Sequence, residues 1–154
     1  RLELSPSNEG APLLSVYGGK ITTYRHLAEE AVDLMSTRLS ALSGKAWTRQ
    51  QALPGGDFAI DGLNDLIRGL AKEFPFLSPD DADRIGRAYG TRAREWLTRP
   101  RGRDFGGGLS QAEVDYLVAE EWAKTAEDVL WRRTKLGLRL TPDQQAALAE
   151  YLGG

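Results

Sequence analysis

Leu109-Ser110-Gln111-Ala112-Glu113-Val114 is the stretch whose reading decides the architecture. Serine followed three residues later by glutamate is a capping box: the two side chains satisfy backbone N–H groups that the first turn of a helix leaves free, and Leu109 is placed to staple onto Val114. Val114, Leu117, Val118 and Glu121-Trp122 continue the pattern at helical spacing. Further along, Thr125 caps another helix carrying Val129, Leu130 and Trp131, and Thr141-Pro142-Asp143-Gln144 opens a last one with Ala147, Leu148, Tyr151 and Leu152 inward. Back toward the amino terminus, Arg101 to Gly108 is glycine-rich and reads as a loop, and Ala93, Trp96 and Leu97 mark a short helix that ends before Pro100. Ser78-Pro79-Asp80-Asp81 starts a helix through Ile85, Ala88 and Tyr89 to Gly90, and Leu63, Leu66, Ile67, Leu70 and Phe74 form a stripe stopped by Pro75.

Ahead of these lie a polar stretch containing Pro6, a short strand at Leu13-Leu14-Ser15-Val16-Tyr17, and Gly18-Gly19. A long amphipathic helix follows, capped by Thr22 or Thr23, with Leu27, Ala31, Leu34, Met35, Arg38 and Leu42 on one side and Gly44 at its end. Trp47-Thr48 and Leu53-Pro54-Gly55-Gly56 belong to a loop. The spacing thus predicts a mainly α chain of six or seven helices and one strand, without internal repeats or a coiled-coil heptad.

The 154 residues, 41% of them hydrophobic, suffice for a real core. Twenty basic against twenty-two acidic residues give a net charge of -2, which speaks against a nucleic-acid binder. The absence of cysteine removes disulfides and thiolate chemistry, and one histidine, His26, is too few for a histidine metal cluster, so no metal site is expected. No apolar run approaches the roughly 20 residues of a membrane-spanning helix, and no leader pattern opens the chain; a cytoplasmic protein is expected. The first residue is Arg1, and a cut inside a longer protein is the expectation there.

Gly18-Gly19-Lys20-Ile21-Thr22-Thr23-Tyr24-Arg25 carries the chemistry. A nucleotide-triphosphate loop would need Ser or Thr where Ile21 stands and glycine where Leu14 stands. A strand, two glycines, a lysine and a helix start nevertheless suit a negatively charged ligand, because backbone can approach it closely and first-turn N–H groups point at it. The alternative is a plain turn with a solvated Lys20. His26 beside this segment reads as a structural or exposed residue, and no residue is assigned a catalytic role. Arg84, Arg87, Arg92, Arg94, Arg99, Arg101 and Arg103 face one acid, Glu95, within their window and read as a solvated face.

This segment, continued by Leu27-Ala28-Glu29, resembles the FAD-dependent, quinone-linked glycerol-3-phosphate dehydrogenases. So do Trp47-Thr48 with Leu53-Pro54-Gly55-Gly56, Phe74-Pro75-Phe76-Leu77, Ala88-Tyr89-Gly90, Ala112 to Leu117, Glu120 to Ala123 and Asp128 to Gly137, in order, over about Leu13 to Leu152. The resemblance implies a polar arm at 1–12, the last strand and helix of a flavin domain at 13–43, and a helical carboxy-terminal cap domain at 44–154. It implies FAD contacts from Gly18, Gly19, Lys20, Thr22 and Thr23, and stabilisation of substrate or flavin charge by Lys20, Arg25 and Thr48. The implied partners are glycerol 3-phosphate, quinone and the amino-terminal FAD and substrate portion of the same polypeptide, with the intact enzyme cytoplasmic and peripheral to the membrane. The family's G-x-G-x-x-G fingerprint is missing here, so the chain is expected to be an inactive fragment that does not hold FAD alone, with the family's histidine elsewhere. Without partner strands, Leu13 to Tyr17 is expected to be disordered, folded back, or self-associated with another copy. The competing reading is a free-standing helical interaction module whose arginine-rich face meets a protein or an acidic lipid surface.

Overall fold

The computed structural model describes residues 1–6 and 10–153. It divides into two compact units, Arg1–Ala52 and Leu53–Gly154.

In the first unit, β1 (Leu2–Leu4) pairs antiparallel with β2 (Leu14–Val16) in the register Leu2 to Val16, Glu3 to Ser15 and Leu4 to Leu14. Of the three fates expected for the Leu13 to Tyr17 strand, it is therefore folded back, onto residues read as a polar arm. The helix α1 (Tyr24–Ser36) follows a 3-10 turn at Ile21–Thr23. It is shorter than its apolar spacing predicts: Arg38 and Leu42 fall outside it, and Ser40–Leu42 is a separate 3-10 turn. The cause is local. Ser36 Oγ donates to the Asp33 carbonyl and Thr37 Oγ1 to the Leu34 carbonyl, both at 2.7 Å, so hydroxyls compete for acceptors that a longer helix would need. Neither Thr22 nor Thr23 caps α1 through its side chain; Thr23 Oγ1 donates backward to the Lys20 carbonyl at 3.0 Å. No described residue of this unit is buried.

The second unit holds the core. The helices α2 (Leu63–Glu73) and α3 (Pro79–Tyr89) begin and end where the stripe, Pro75, the Ser78 cap and Gly90 place them, with Ser78 Oγ accepting from Asp81 N–H at 3.1 Å. A short α4 (Arg94–Leu97) carries the buried Trp96 and Leu97. The glycine-rich stretch is not a plain loop: β3 (Asp104–Gly106) and β4 (Leu109–Ser110) form a hairpin closed by Gly107-Gly108, and it buries Phe105 and Leu109. Then come α5 (Gln111–Glu120), a π-helical turn at Asp128–Arg133 and α6 (Pro142–Gly153). Fold class is as expected: mainly helical, with six helices and two small two-stranded sheets among the described residues in place of one lone strand.

Both carboxy-terminal helical segments open on reciprocal caps. Asp128 accepts from the N–H groups of Lys124 and Thr125 at 3.0 Å while Thr125 Oγ1 accepts from Asp128 N–H at 3.2 Å, and Thr141 with Gln144 repeats the exchange. The capping box at Ser110 is only half formed. Ser110 Oγ accepts from Glu113 N–H at 3.4 Å, but the Glu113 carboxylate turns inward and is wholly buried. There it receives Arg84 through both terminal nitrogens, at 2.6 and 2.8 Å, and the Tyr89 hydroxyl at 2.7 Å; Arg84 also donates to the Gly108 carbonyl at 3.3 Å. One carboxylate thus ties α3, the hairpin turn and α5 together. Burial works against the Arg84 charge, but the hydrogen bonds and field of Glu113 outweigh it and hold that guanidinium above its usual range. Burial, and then Glu113, push the Tyr89 hydroxyl well above its ordinary value, so it stays a neutral donor.

Where α3 ends, two backbones meet. Gly90 sits at φ +57°, and a Cβ there would overlap the backbone of Gly55, which at φ +85° would in turn collide with the Tyr89 carbonyl. Thr91 N–H donates to the Gly55 carbonyl at 3.0 Å, and Thr91 Oγ1 bonds Asp57. The Leu53-Pro54-Gly55-Gly56 loop is therefore clasped to the end of α3 by glycines at both sides of the contact.

Glu113→Ala should cost about 3–5 kcal/mol, because it leaves the Arg84 charge buried without a partner, whereas joint replacement by Arg84→Met and Glu113→Leu should cost much less. Denaturant titration of the three chains reads this; a single variant no worse than the double would contradict it. Gly90→Ala should also destabilise by at least about 1–2 kcal/mol, from the left-handed backbone alone.

Candidate functional site

The segment singled out by sequence forms an exposed turn. Gly18 at φ +74° and Gly19 at φ +122° take conformations that favour glycine, and a Cβ on Gly19 would come within 2.9 Å of Leu27 Cδ2. Both positions thus need glycine, and Gly18 has open space around it. Lys20 is extended and exposed at the start of the Ile21–Thr23 turn. Thr23 N–H donates to the Lys20 carbonyl at 3.0 Å, so both polar groups of Thr23 shape the turn, whereas Thr22 is exposed in it. Large apolar side chains flank the turn in open solvent: Ile21 is 88% exposed, Leu13 65%, Tyr24 56% and Tyr17 55%.

Arg25 and Thr48 are brought together, but not at this turn. Arg25 Nη1 donates to Glu29 Oε1 at 2.9 Å and Thr48 Oγ1 donates to the same oxygen, so a carboxylate one helical turn along α1 gathers both. Arg25 Nη2 lies 3.0 Å from His26 Nε2, and the His26 ring is otherwise exposed. The hydrogen bond from Thr48, and then the Arg25 charge, hold Glu29 below its usual value near 4.5 despite partial burial. Glu29 was not singled out from the sequence. Its spacing of four from Arg25 on a helix was a visible signal; the reach of Thr48 from beyond the helix was not. Beside this latch runs a groove of about 290 Å3 lined by Ala28, Val32, Leu42, Trp47 and Thr48, with Trp47 67% exposed.

The arginine-rich segment is not one solvated face. Arg84 is half-buried against Glu113, Arg87 pairs with Asp83, Arg92 with Glu95 and Glu120, and Arg94 with Glu73. Arg132 pairs with Glu127 and Asp128, Arg133 donates to the Glu121 carbonyl at 2.8 Å, and Trp131 lies against Gly137. Among the described residues no cluster of three or more His, Cys, Asp or Glu could hold a metal, and no helix is long and apolar enough to cross a membrane.

Residues 46–152 match the family described as the C-terminal domain of alpha-glycerophosphate oxidase. The chain belongs to this family. Over 98% of its length it is 46% identical to a glycerol-3-phosphate dehydrogenase of Pseudomonas aeruginosa, covering 30% of that protein. It is 41% identical over 98% of its length to the aerobic glycerol-3-phosphate dehydrogenase of Escherichia coli K12, covering 31% of it. A D-erythritol 1-phosphate dehydrogenase of Brucella abortus is 42% identical over 92% of the chain and 29% of that protein. The chain spans about 30% of the length of these relatives and is homologous to the carboxy-terminal part of glycerol-3-phosphate dehydrogenases.

Removing the hydroxyl with Thr48→Val should raise the Glu29 pKa. The latch contributes stability above the usual carboxylate value and loses it as pH falls through the depressed folded value, so its opening should move to higher pH in the variant. Carboxyl carbon NMR of Glu29 against pH reads the shift directly; identical titrations in parent and variant would remove Thr48 from the latch.

Proposed function

We propose that the chain is the carboxy-terminal portion of an FAD-dependent glycerol-3-phosphate dehydrogenase, whose intact form oxidises sn-glycerol 3-phosphate to dihydroxyacetone phosphate and passes two electrons through FAD to quinone. Such an enzyme works peripherally at the cytoplasmic side of a membrane. The observation that carries the reading is the exposed Gly18-Gly19-Lys20 turn, set among bare apolar side chains on a unit whose described residues include none that is buried. A self-sufficient domain buries such side chains; a piece of a larger one presents them to the rest of its polypeptide. In this reading residues 13–43 complete a flavin domain, 44–154 form the helical cap domain, and the partner covering the turn is the amino-terminal FAD and substrate portion.

The residues present fit an anionic, flat ligand. Gly18 and Gly19 leave no side chain between backbone and ligand, Lys20 brings a positive charge, and Thr22 offers a backbone donor of the first turn. Thr23 holds the turn to the Lys20 carbonyl. Arg25 and Thr48 act one layer back, through Glu29, by fixing the segment after α1 to the helix that carries the turn. FAD, when bound, supplies the two-electron acceptor. Lys20 and the turn donors are preorganised to stabilise negative charge on the flavin ring or on the substrate phosphate, an electrostatic contribution of the kind that removal of one donor makes visible as a 100- to 1000-fold loss. The names of the relatives span glycerol and erythritol phosphates, so a phosphorylated polyol is the substrate class, with the three-carbon one proposed here.

In the full-length enzyme, Lys20→Met should lower turnover by about 100-fold or more, or displace the flavin potential. Unchanged turnover and unchanged potential together would refute the role of Lys20. The 154-residue chain alone should neither retain FAD nor oxidise glycerol 3-phosphate, and restoring the preceding portion should confer both. A chain that gains no flavin on extension would overturn the reading.

A further inference from the structure

Between Arg84 and Arg103 seven arginines occur, and the ion pairs account for four of them. Arg99, Arg101 and Arg103 have no carboxylate partner among the described residues and are exposed. Arg101 and Arg103 are nevertheless held. The Arg101 guanidinium lies 5.2 Å from the centre of the Phe76 ring and that of Arg103 5.3 Å from the Phe105 ring, contacts that orient a cation without neutralising it. Their backbone is fixed to the start of α5: the Arg101 carbonyl accepts from Ala112 N–H at 3.1 Å, the Arg103 carbonyl accepts from Gln111 N–H at 2.8 Å, and Arg103 N–H donates to Gln111 Oε1 at 3.1 Å.

Arg99 and Arg101 rim a narrow crevice of about 10 Å3 whose lining contains no acid. Its lining includes Trp96, which is 2% exposed and whose Nε1 donor has no acceptor, and Ser110, whose hydroxyl accepts from Glu113 N–H and keeps its own proton to give. A buried donor without an acceptor is uncommon, and here it belongs to a residue that lines the crevice bordered by two guanidinium groups without ion-pair partners. Every polar side chain around the crevice is a donor. A crevice of this size does not hold a tetrahedral anion, so an anion bound here would lie at the rim, where planar guanidinium groups can make paired hydrogen bonds to its oxygens.

We propose that Arg99 and Arg101 form a binding site for a phosphate group, carried by an anionic lipid headgroup or by a soluble phosphate. The site lies in the second unit and is independent of the Gly18 to Lys20 turn. The test uses the 154-residue chain, its Arg99→Gln/Arg101→Gln variant, and an Arg87→Gln/Arg94→Gln control that removes the same charge from paired arginines. Each is measured for sedimentation with phosphatidylglycerol against phosphatidylcholine vesicles, and for the rise in thermal midpoint given by inorganic phosphate over chloride at equal ionic strength. With about a fivefold contribution from each guanidinium near an anionic surface, the variant should bind phosphatidylglycerol about 30-fold more weakly, with the control within about twofold of the parent. Vesicle binding without phosphate stabilisation assigns the site to lipid; phosphate stabilisation without vesicle binding assigns it to a soluble ligand. An Arg99→Lys/Arg101→Lys chain, which preserves charge and fold, should keep vesicle binding and lose phosphate stabilisation. Neither effect in the parent, or equal loss in variant and control, would overturn the proposal.

Discussion

The second unit depends on a carboxylate that has no access to water. Moving the Glu113 charge out of solvent costs several kcal/mol, which only close, well-aligned partners can offset. Arg84 provides two parallel hydrogen bonds and Tyr89 a third, and these partners lie on α3 while Glu113 lies on α5. The consequence is register. Sliding α3 by one turn against α5 would strand a buried charge, so the ion pair selects one packing from those the apolar residues alone would tolerate. The offset is incomplete, since Arg84 Nε has no acceptor, which is why conformational specificity explains this pair better than net stabilisation does.

Tyr89 joins that polar centre to the apolar one. Its hydroxyl belongs to the Glu113 network, while its ring meets Trp96 and Tyr116 edge-on at 5.4 and 5.6 Å. The residue that follows is Gly90, where the backbone turns through a left-handed conformation against Gly55. Polar network, aromatic cluster and loop clasp thus converge within two consecutive residues. The first unit has nothing comparable: none of its described residues is buried, its largest apolar side chains are exposed, and its Glu29 latch is partly open to solvent. Hydrophobic burial, the main source of folding free energy, is almost all in the second unit.

What the sequence made legible follows from how local each signal is. The limits of α2 and α3 were readable because a stripe, Pro75, the Ser78 cap and Gly90 act within a few residues of the boundary they set. The end of α1 was not, since Ser36 and Thr37 look like ordinary helix residues until their hydroxyls take the carbonyls of Asp33 and Leu34. The hairpin was missed because glycine density suggests a loop, although Phe105 and Leu109 on either side of the turn glycines were an available cue. Glu113 shows the deeper limit. Its place in a capping box was correct in position and incomplete in role, because a pattern of four residues cannot disclose an arginine 29 positions away. For the candidate site, the glycine conformations and the exposure of Lys20 could be anticipated, but the gathering of Arg25 and Thr48 on Glu29 depends on how the chain returns after α1.

The arginine segment makes the same point for charge. Counted within its own window it is a block of seven cations against Glu95, yet Glu113, Asp83, Glu120 and Glu73, all outside that window, take up much of the charge. Charge density in sequence is therefore a poor guide to charge density on the surface, because helices bring in acids from distant positions. The converse also holds. Arg99 to Arg103 follow the last turn of α4, where no acid comes within ion-pair reach among the described residues, and aromatic rings hold the guanidinium groups of Arg101 and Arg103. A cation oriented by a ring keeps its full charge toward solvent, whereas one oriented by a carboxylate does not. The surface field of this unit is therefore set by which arginines found rings and which found acids.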